Sequence, residues 1–160
     1  MTTLYPVAGM KIYIGSAPMS DQDTDFVAAD FGAVSWTQIN GWSQAGAIGD
    51  AAQLITTALI SLSRDKKQKG TSNAGSMQNV FAINADDPGQ IALIAAAAGS
   101  NKNNYPFRIE GNDSKGVSNS FRYFVGLVMS AQEANGEANT IRNMTSTIEV
   151  NSNVVRVAAT

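Results

Sequence analysis

Alternation between apolar and polar positions predicts that this chain is built mainly of β-strands. The longest alternating stretch is residues 119–133, with apolar positions in phase at Phe121, Tyr123, Val125, Leu127 and Met129 and out of phase at Phe124 and Val128. Because successive strand side chains point to opposite faces, the five in-phase positions would form one apolar face of a long central strand. Residues 77–85 alternate in a similar way and predict a second strand.

Shorter runs rich in β-branched and aromatic residues predict the remaining strands. They lie at residues 11–15, 34–39, 105–110, 139–150 and 154–157. The sequence at 134–137, Ala-Asn-Gly-Glu, predicts a hairpin turn. Ile141 is out of phase with the other apolar residues of 139–150, which predicts a bulge in that strand.

One segment has the features of an α-helix. Residues 88–98, PGQIALIAAAA, follow Asp86 and Asp87 and precede Gly99. Proline in the first turn, acidic residues before it and glycine after the last turn are typical helix boundaries. We therefore interpret Asp86 and Asp87 as helix-capping residues and not as a catalytic carboxylate pair.

Residues 41–76 form the unusual segment of the chain. They open with GWSQAGAIGDAAQ, contain an apolar run at 54–62 and end in RDKKQKGTSNAGS. The middle could form a strand, but the two ends are long loops, and such loops in a compact domain are usually functional or disordered. We expect the segment to be mobile in the isolated chain and to become ordered against a neighbour, since its many Gly, Ser, Ala and Gln residues give it little means of anchoring itself.

The elements together predict a single α+β domain, mainly β, over residues 1–160. Antiparallel strands, about seven in number, would form a β-sandwich or a barrel-like subunit with one short flanking helix. Residues 1–10, which contain Pro6 and Gly9, would form an N-terminal arm.

The composition favours a protein that assembles with copies of itself. Charged residues make up 15% of the 160 positions, below the roughly 25% of a typical soluble domain. A weakly charged surface lacks much of the electrostatic repulsion that keeps monomers apart. The charges are also segregated, because an acidic part of the chain, with Asp21, Asp23, Asp25, Asp30 and Asp50, precedes the basic cluster RDKKQKG.

The absence of His and Cys argues against an enzyme or a metalloprotein. It removes the commonest general base, the commonest metal ligand and the thiol nucleophile. We therefore predict no catalytic, cofactor-binding or metal-binding residues. The net charge of −2 argues against a protein that grips nucleic acid. The sequence also lacks a signal-peptide pattern and a membrane-spanning apolar stretch, so we expect a soluble protein.

The order of several segments resembles that of the tail tube proteins of long-tailed bacteriophages, the siphophages. The segments are WTQINGWSQAGAIGDAAQLITTALIS, RDKKQKGTSNAG, MQNVFAINADDPGQIALIAAA, YPFRIEG and FRYFVGLVMSAQEANGEANTIRNMTSTIEV. They include a strand with Trp and Ile, the pair Ile48-Gly49 and an apolar run containing Thr56 and Thr57. The resemblance covers residues 11–150.

The resemblance implies a structural protein of the virion with no enzymatic activity. Subunits of this family form hexameric rings that stack into a hollow tube, the conduit for delivery of the genome into the host. Tubes of contractile tails and of type VI secretion share the fold. The long hairpins at 34–85 and 119–150 would contribute strands that join across subunits into one inner barrel, which leaves no free sheet edge.

The resemblance also places the contacts between rings in residues 41–76. The implied contact residues are Trp42, Ile48, Gly49, Asp50, Leu54, Arg64, Lys66, Lys67 and Lys69. Their apolar members would be buried in the contact, and their cations would face the acidic stretch 21–30 of the next ring. The implied lumen-facing residues, which would repel DNA phosphates, are Glu133, Glu137 and Glu149.

The partners implied are further copies of the chain, a tape measure protein, tail tip and tail terminator proteins, and double-stranded DNA that passes without specific binding. No membrane partner is implied, and the protein would be made in the host cytoplasm and reside in the phage tail. Two alternatives remain. A tube subunit of a contractile injection or type VI secretion machine would bind a sheath, and a carbohydrate-binding β-sandwich would need exposed aromatic residues and stay monomeric.

Overall fold

The computed structural model describes residues 3–160, and antiparallel strands dominate it. The strands are β1 (Lys11–Gly15), β2 (Trp36–Ile39), β3 (Trp42–Gln44), β4 (Ala51–Thr57), β5 (Lys66–Asn73), β6 (Ser76–Ala82), β7 (Tyr105–Glu110), β8 (Phe121–Ala134), β9 (Asn143–Val150) and β10 (Val155–Val157). The helices in these residues are α1 (Pro88–Ala97) and a short 3-10 helix (Ala28–Phe31). The predicted α+β fold, mainly β with one short flanking helix, is confirmed.

Eight of the strands in the described region form one antiparallel sheet that curls on itself. Its order is β2-β1-β7-β8-β9-β6-β3, with β10 beside β8. The two end strands, β2 and β3, are separated in sequence only by Asn40 and Gly41, so the sheet bends until its ends meet. Gly41 has a φ of 80°, and a Cβ there would lie 2.4 Å from the carbonyl oxygen of Ala82, so glycine is required at this corner.

The N-terminus of α1 fastens this corner. The side chain of Asp87 accepts hydrogen bonds from the backbone N–H groups of Gln90 at 2.9 Å and Asn40 at 3.2 Å. Gln90 Nε2 in turn donates to the carbonyl oxygens of Asn40 and Ala82, both at 2.8 Å. The capping role predicted for Asp87 is therefore confirmed, whereas Asp86 is exposed and is not the N-cap.

The C-terminal end of α1 differs slightly from the prediction. The helix ends at Ala97, one residue before the predicted Ala98, and Gly99 follows the C-cap residue Ala98. Asn101 Nδ2 donates to the carbonyl oxygen of Ala95, so an amide side chain satisfies one of the last helical carbonyls.

Two apolar clusters cover opposite faces of the curved sheet. The larger one lies inside the curl, beneath α1, and contains Ile12, Ile14, Ile39, Met77, Phe81, Leu93, Ala96, Phe107, Ile109, Phe124, Val128, Met144, Ile148 and Val150. The smaller one lies on the outer face and joins Phe26 and Phe31 of the 3-10 segment to Val125, with Trp36 and Tyr123 packed against them. The 3-10 helix therefore anchors the connection between β1 and β2 to the sheet.

Tyr123 and Val125 share one face of β8, as predicted, but this face packs against the outer cluster and not against the main core. Phe124 and Val128 face the main core, while Tyr123 and Val125 face the outer cluster. Both faces of this part of β8 are apolar, because the main core covers one face and the outer cluster covers the other. The register shifts between Val128 and Ser130, so the bulge lies in β8, whereas Ile141, where the sequence predicted one, precedes β9.

The two ends of the predicted loop 41–76 are more ordered than the sequence indicates. Residues 64–76 were predicted as loop, but Lys66–Asn73 is the strand β5, which pairs with β4. Of the predicted arm at 1–10, residues 1 and 2 lie outside the described residues. Within 3–10 the backbone forms no helix or strand, and Asn112 Nδ2 donates to the carbonyl oxygen of Ala8 at 3.1 Å.

Candidate assembly surfaces

A β-hairpin formed by β4 and β5 stands apart from the main sheet as a second, two-stranded sheet. Every residue of the two strands is exposed except Gly70, which is half-buried. The seven residues of β4 extend roughly 23 Å at the usual rise per strand residue. A two-stranded hairpin without a covered face is marginally stable in water. This hairpin therefore has the length to reach another surface and gains stability by doing so.

The hairpin combines exposed aliphatic side chains with cations. The exposed aliphatic residues are Leu54, Ile55, Leu59, Ile60 and Leu62. The cations that follow them are Arg64, Lys66, Lys67 and Lys69, and all four are exposed. Contiguous exposed apolar residues of this kind mark an interaction site.

The structure brings together only part of the predicted contact set. Leu54 and the four cations share the hairpin, but Trp42 and Ile48 are partly buried against the subunit's own core. Trp42 Nε1 donates to Asn79 Oδ1 at 3.1 Å, and β3 pairs with β6. The expectation that residues 41–76 find no anchor in their own subunit is therefore wrong for the first part of the segment. Gly49, with a φ of 138°, and the exposed Asp50 lie at the base of the hairpin.

The acidic stretch 21–30 lies in the connection between β1 and β2. Asp25 lines a cleft together with Asp50 and Asn73, at the base of the hairpin. Asp30 accepts a hydrogen bond from the backbone N–H of Val27 at 2.8 Å and so caps the 3-10 helix. The carboxylates are exposed, and the stretch offers negative charge to an approaching cation.

The outer face of β9 and its neighbours is polar. Buried and half-buried residues alternate strictly along β9, so Thr145, Thr147 and Glu149 face away from the core. The partners opposite Thr145 and Thr147 include Gln78 on β6 and Gln132 on β8. The result is a surface of hydroxyl and amide groups with few charges.

The three glutamates predicted to face a lumen do not lie together. Glu149 is opposite Ser76 and Leu127 on the polar outer face. Glu133 is opposite Met144, a core residue, and therefore points to the other side of the sheet. It forms an ion pair with Arg142 at 2.6 Å. Glu137 is exposed in the connection between β8 and β9.

The C-terminal half of β8 extends past its neighbour β7. β7 pairs only with Phe121–Gly126, whereas β9 continues along the other side to Ala134. The end of α1 lies beside Leu127 and Met129. Among the strands of residues 3–160, none pairs with residues 130–134 on the β7 side. An open edge of this kind is a template for a strand from another chain.

Sequence reasoning missed an aromatic cage around Arg108. The guanidinium carbon lies 4.1 Å from the ring centroid of Tyr13, 5.1 Å from that of Trp36 and 5.4 Å from that of Phe121. Cation–π attraction holds the side chain on the outer face of β7. A charged residue between the apolar residues Phe107 and Ile109 was the available signal, but its aromatic partners lie far away in sequence.

The carboxyl group of Glu110, two residues after Arg108 in β7, has a pKa below its ordinary value. Tyr13 Oη and Asn119 Nδ2 each donate to its carboxylate at 2.8 Å. Burial raises the pKa of Glu110, but the hydrogen bonds from Asn119 and Tyr13 outweigh burial, so that its pKa lies below the ordinary value. Burial and the hydrogen bond to Glu110 raise the pKa of Tyr13.

No group of three or more acidic residues within residues 3–160 is arranged to hold a metal ion. Over the same residues, the structure contains no helix long and apolar enough to cross a membrane.

No family model matches the sequence, and no curated protein matches it either. Solved structures do match the fold. A chain of the sixfold-symmetrised baseplate of the anti-feeding prophage aligns with a TM-score of 0.73 at 10% identity, covering 99% of this chain and 98% of that chain. A chain of the sheath and tube terminator of the extracellular contractile injection system PVC aligns with a TM-score of 0.70 at 12% identity, covering 98% and 99%. The tail tube of SPP1 aligns with a TM-score of 0.64 at 12% identity, covering 96% and 80%.

This chain has the tail tube fold. The alignments run over nearly its whole length, so the tail tube fold accounts for the entire subunit and not for one part of it. The fold expected from the order of sequence segments is therefore confirmed.

Proposed function

We propose that this chain is a structural subunit that polymerises as stacked hexameric rings into the hollow tail tube of a long-tailed phage. The observation that carries the proposal is the alignment of nearly the whole chain with chains of a tail tube, a sheath and tube terminator, and a baseplate. One of these assemblies is described as sixfold symmetrised, which supports the hexameric ring. The tube would be the conduit for genome delivery, and the protein would have no enzymatic activity.

Two strand edges that have no partner strand within residues 3–160 support ring closure. Residues 130–134 of β8 offer an edge on the β7 side, and β3 is the last strand at the far end of the sheet. Pairing of such edges between neighbours would continue the sheet from subunit to subunit. A closed ring of subunits would then satisfy backbone groups that otherwise promote uncontrolled aggregation.

The polar outer face of β6, β8 and β9 is our candidate for the lumen wall. Thr145, Thr147 and Gln78 cannot adhere strongly to a passing phosphate backbone, and Glu149 adds repulsion. Glu133 and Glu137 lie at the end of the β8–β9 hairpin and would line the rim rather than the wall. Double-stranded DNA would therefore pass without specific binding.

The hairpin β4–β5 is our candidate for the contact between rings. It stands away from the body, and its cations are free to meet the acidic stretch 21–30 of the next ring. Exposed ion pairs of this type contribute modestly and weaken with salt, so burial of the aliphatic residues would provide most of the affinity. A tape measure protein, tail tip proteins and a tail terminator would complete the virion tail.

A second candidate is a tube or terminator subunit of a contractile injection system. It is favoured by the likeness to chains of the anti-feeding prophage and PVC assemblies, which are solved with a cap, a baseplate or a sheath. The two candidates differ in whether a sheath protein binds the outside of the tube. Co-assembly of the purified chain with a contractile sheath protein would support the second.

Negative-stain microscopy and mass measurement of the purified chain test the proposal. We expect rings with a central hole, or tubes, as concentration rises, with ring masses at multiples of six subunits. Replacing residues 51–73 by a short Gly-Ser linker should leave a folded subunit that no longer stacks, because the main sheet does not include β4 or β5.

Val117→Ser, which changes an exposed residue on a distant loop, is the matched control and should assemble normally. A persistent monomer at high concentration, as the carbohydrate-binding alternative requires, would refute the proposal. Normal tubes from the linker variant would refute the role of the hairpin.

A further inference from the structure

Charge is divided unevenly between the β4–β5 hairpin and the rest of the chain. Residues 51–73 carry four cations, Arg64, Lys66, Lys67 and Lys69, and one carboxylate, Asp65, which gives them a formal charge of +3. The whole chain has 11 cations and 13 carboxylates, so the other positions carry 7 cations and 12 carboxylates and a formal charge of −5. An anionic surface would therefore attract the hairpin and repel the body of the subunit.

The outermost part of the hairpin is apolar. β4 and β5 are joined through a turn in which the backbone N–H of Leu62 donates to the carbonyl oxygen of Leu59 at 3.0 Å. Leu59, Ile60 and Leu62 are all exposed at this turn, and Ile60 is fully exposed. No charged residue occurs in residues 51–63. Exposed aliphatic clusters of this kind mark contacts with a protein or with a membrane.

The cations lie behind the apolar tip and not on it. Arg64 follows the turn, and the register places Lys66 opposite Thr57, at the start of the ladder. Lys69 is farther back, opposite Leu54. At the usual rise per strand residue, Lys66 and Lys69 are about 10 Å apart along the hairpin. A surface that approaches the tip therefore meets aliphatic groups first and positive charges next.

This order of groups matches the interface of an anionic lipid bilayer. In amphipathic segments that lie at such an interface, apolar side chains are buried about 5–10 Å into the boundary between headgroups and acyl chains. Basic residues are held near the surface by the negative potential of the lipid headgroups. A nucleic acid would also pair with the cations, but it would leave the aliphatic tip in water. A bilayer accounts for both features of the hairpin.

We propose that the β4–β5 hairpin binds anionic lipid membranes, with Ile60 inserted at the level of the headgroups and the four cations on lipid phosphates. The insertion is shallow. The outer edges of β4 and β5 pair with no other strand of residues 3–160, and their backbone groups cannot be left unpaired in hydrocarbon.

This inference goes beyond the proposed tube. Within a stack, the hairpins would be engaged by the next ring. The membrane-binding surface would then be available on a free subunit, or on a ring at the end of a tube where no further ring covers its hairpins.

Co-sedimentation of the dilute, unassembled chain with lipid vesicles tests the contribution of charge. The chain should bind vesicles of equal parts phosphatidylcholine and phosphatidylglycerol, and it should bind pure phosphatidylcholine vesicles at least about tenfold more weakly. Each cation near an anionic surface contributes about fivefold in affinity. The variant Lys66→Gln/Lys67→Gln/Lys69→Gln should therefore bind the mixed vesicles about 100-fold more weakly.

The matched control removes three other exposed lysines. Lys11→Gln/Lys102→Gln/Lys115→Gln changes the net charge by the same amount but leaves the hairpin unaltered. Its affinity for the mixed vesicles should fall far less than that of the hairpin variant. Equal losses in the two variants would show that net charge, and not the hairpin, controls binding, and would overturn the proposal.

The absence of cysteine from the chain allows insertion of the tip to be measured at one position. Ile60→Cys, labelled with an environment-sensitive fluorophore, should show a blue-shifted and stronger emission on the mixed vesicles. Val117→Cys with the same label is the control, because Val117 is 86% exposed and lies on the connection between β7 and β8. Its emission should not change.

The outcomes separate this inference from the proposed function. Failure of the unsubstituted chain to bind the mixed vesicles would overturn the membrane site, and normal tubes from the same chain would leave the proposed function intact. Binding of duplex DNA as tightly as the vesicles, with no blue shift at Ile60→Cys, would show a general polyanion site instead and also overturn it. Vesicle binding by a chain that never forms rings would contradict the tube and not the membrane site.

Discussion

Replacing Asp87 by alanine should destabilise the subunit more than any other single change of an acidic residue. The carboxylate is 4% exposed and accepts three hydrogen bonds at the corner where the ends of the sheet meet. The donors are the backbone N–H groups of Gln90 at 2.9 Å and Asn40 at 3.2 Å and the side-chain amide of Asn40 at 2.6 Å. The substitution therefore removes both the helix cap and the hydrogen bonds that join α1 to the β2–β3 connection.

The expected loss is about 1–3 kcal/mol in the free energy of unfolding. Loss of an N-cap costs about 1 kcal/mol in a typical helix. Here the donor of the cap, the N–H of Gln90, is buried and would be left without an acceptor, which places the cost in the range of about 1–3 kcal/mol. Asn40 is exposed, so water can replace Asp87 as its partner and adds little. Asp87→Asn keeps one acceptor oxygen and should lose about half as much.

Urea unfolding followed by tryptophan fluorescence would measure this loss, since Trp36 and Trp42 are both partly buried. The protein should be kept dilute so that assembly does not add to the stability of the folded state. Asp86→Ala is the matched control, because Asp86 is adjacent, acidic and exposed. It should change the free energy by less than about 0.5 kcal/mol. Equal losses in the two variants would show that Asp87 does not fasten the corner.

Two further stability predictions follow from close packing and from charge. Gly89→Ala should lower the free energy of unfolding by at least about 3 kcal/mol, because a Cβ there would lie 2.1 Å from the backbone oxygen of Gln38. Gly99→Ala is the control in the same urea assay and should be nearly neutral, because the space around Gly99 is open. Glu110→Gln should lower the free energy of unfolding at pH 7. The free energies of the variant and of the unsubstituted chain should converge as the pH falls below 4.5, the ordinary pKa of the carboxyl group. The reason is that a pKa lowered in the folded state gives stability that is lost when the carboxylate is protonated. Parallel stability curves across that range would contradict the assignment.

The parts of the fold that could be predicted from the sequence are those set by local chemistry. The strand at β7 and the start of α1 were predicted to the residue, because a short apolar run and an Asp-Pro pair leave few alternatives. β5 was missed because it has no apolar alternation. Its residues are polar or charged, and the strand exists through its ladder with β4 alone.

The parts that could not be predicted depend on contacts distant in sequence. The phase of β8 was ambiguous because the 3-10 segment around Phe31 covers its outer face, so both faces are apolar. The separation of Glu133 from Glu149 follows from the pairing of β8 with β9, which no local pattern determines. The basic cluster of the candidate site was predictable as a cluster because its residues are consecutive in sequence.

The division of β8 into two halves links the stability of the subunit to its assembly. Its first half, through Val125, is covered on both faces and is paired with β7 on one side, so it is fully used within the monomer. Its second half, from Ser130, has a polar outer face and an edge that extends past β7. The bulge between Val128 and Ser130 marks the change, and Met129, at the bulge, is exposed. The first half of β8 thus builds the core, and in the tube we propose the second half contacts neighbouring subunits. Substitutions before the bulge should therefore affect folding, and substitutions after it should affect assembly.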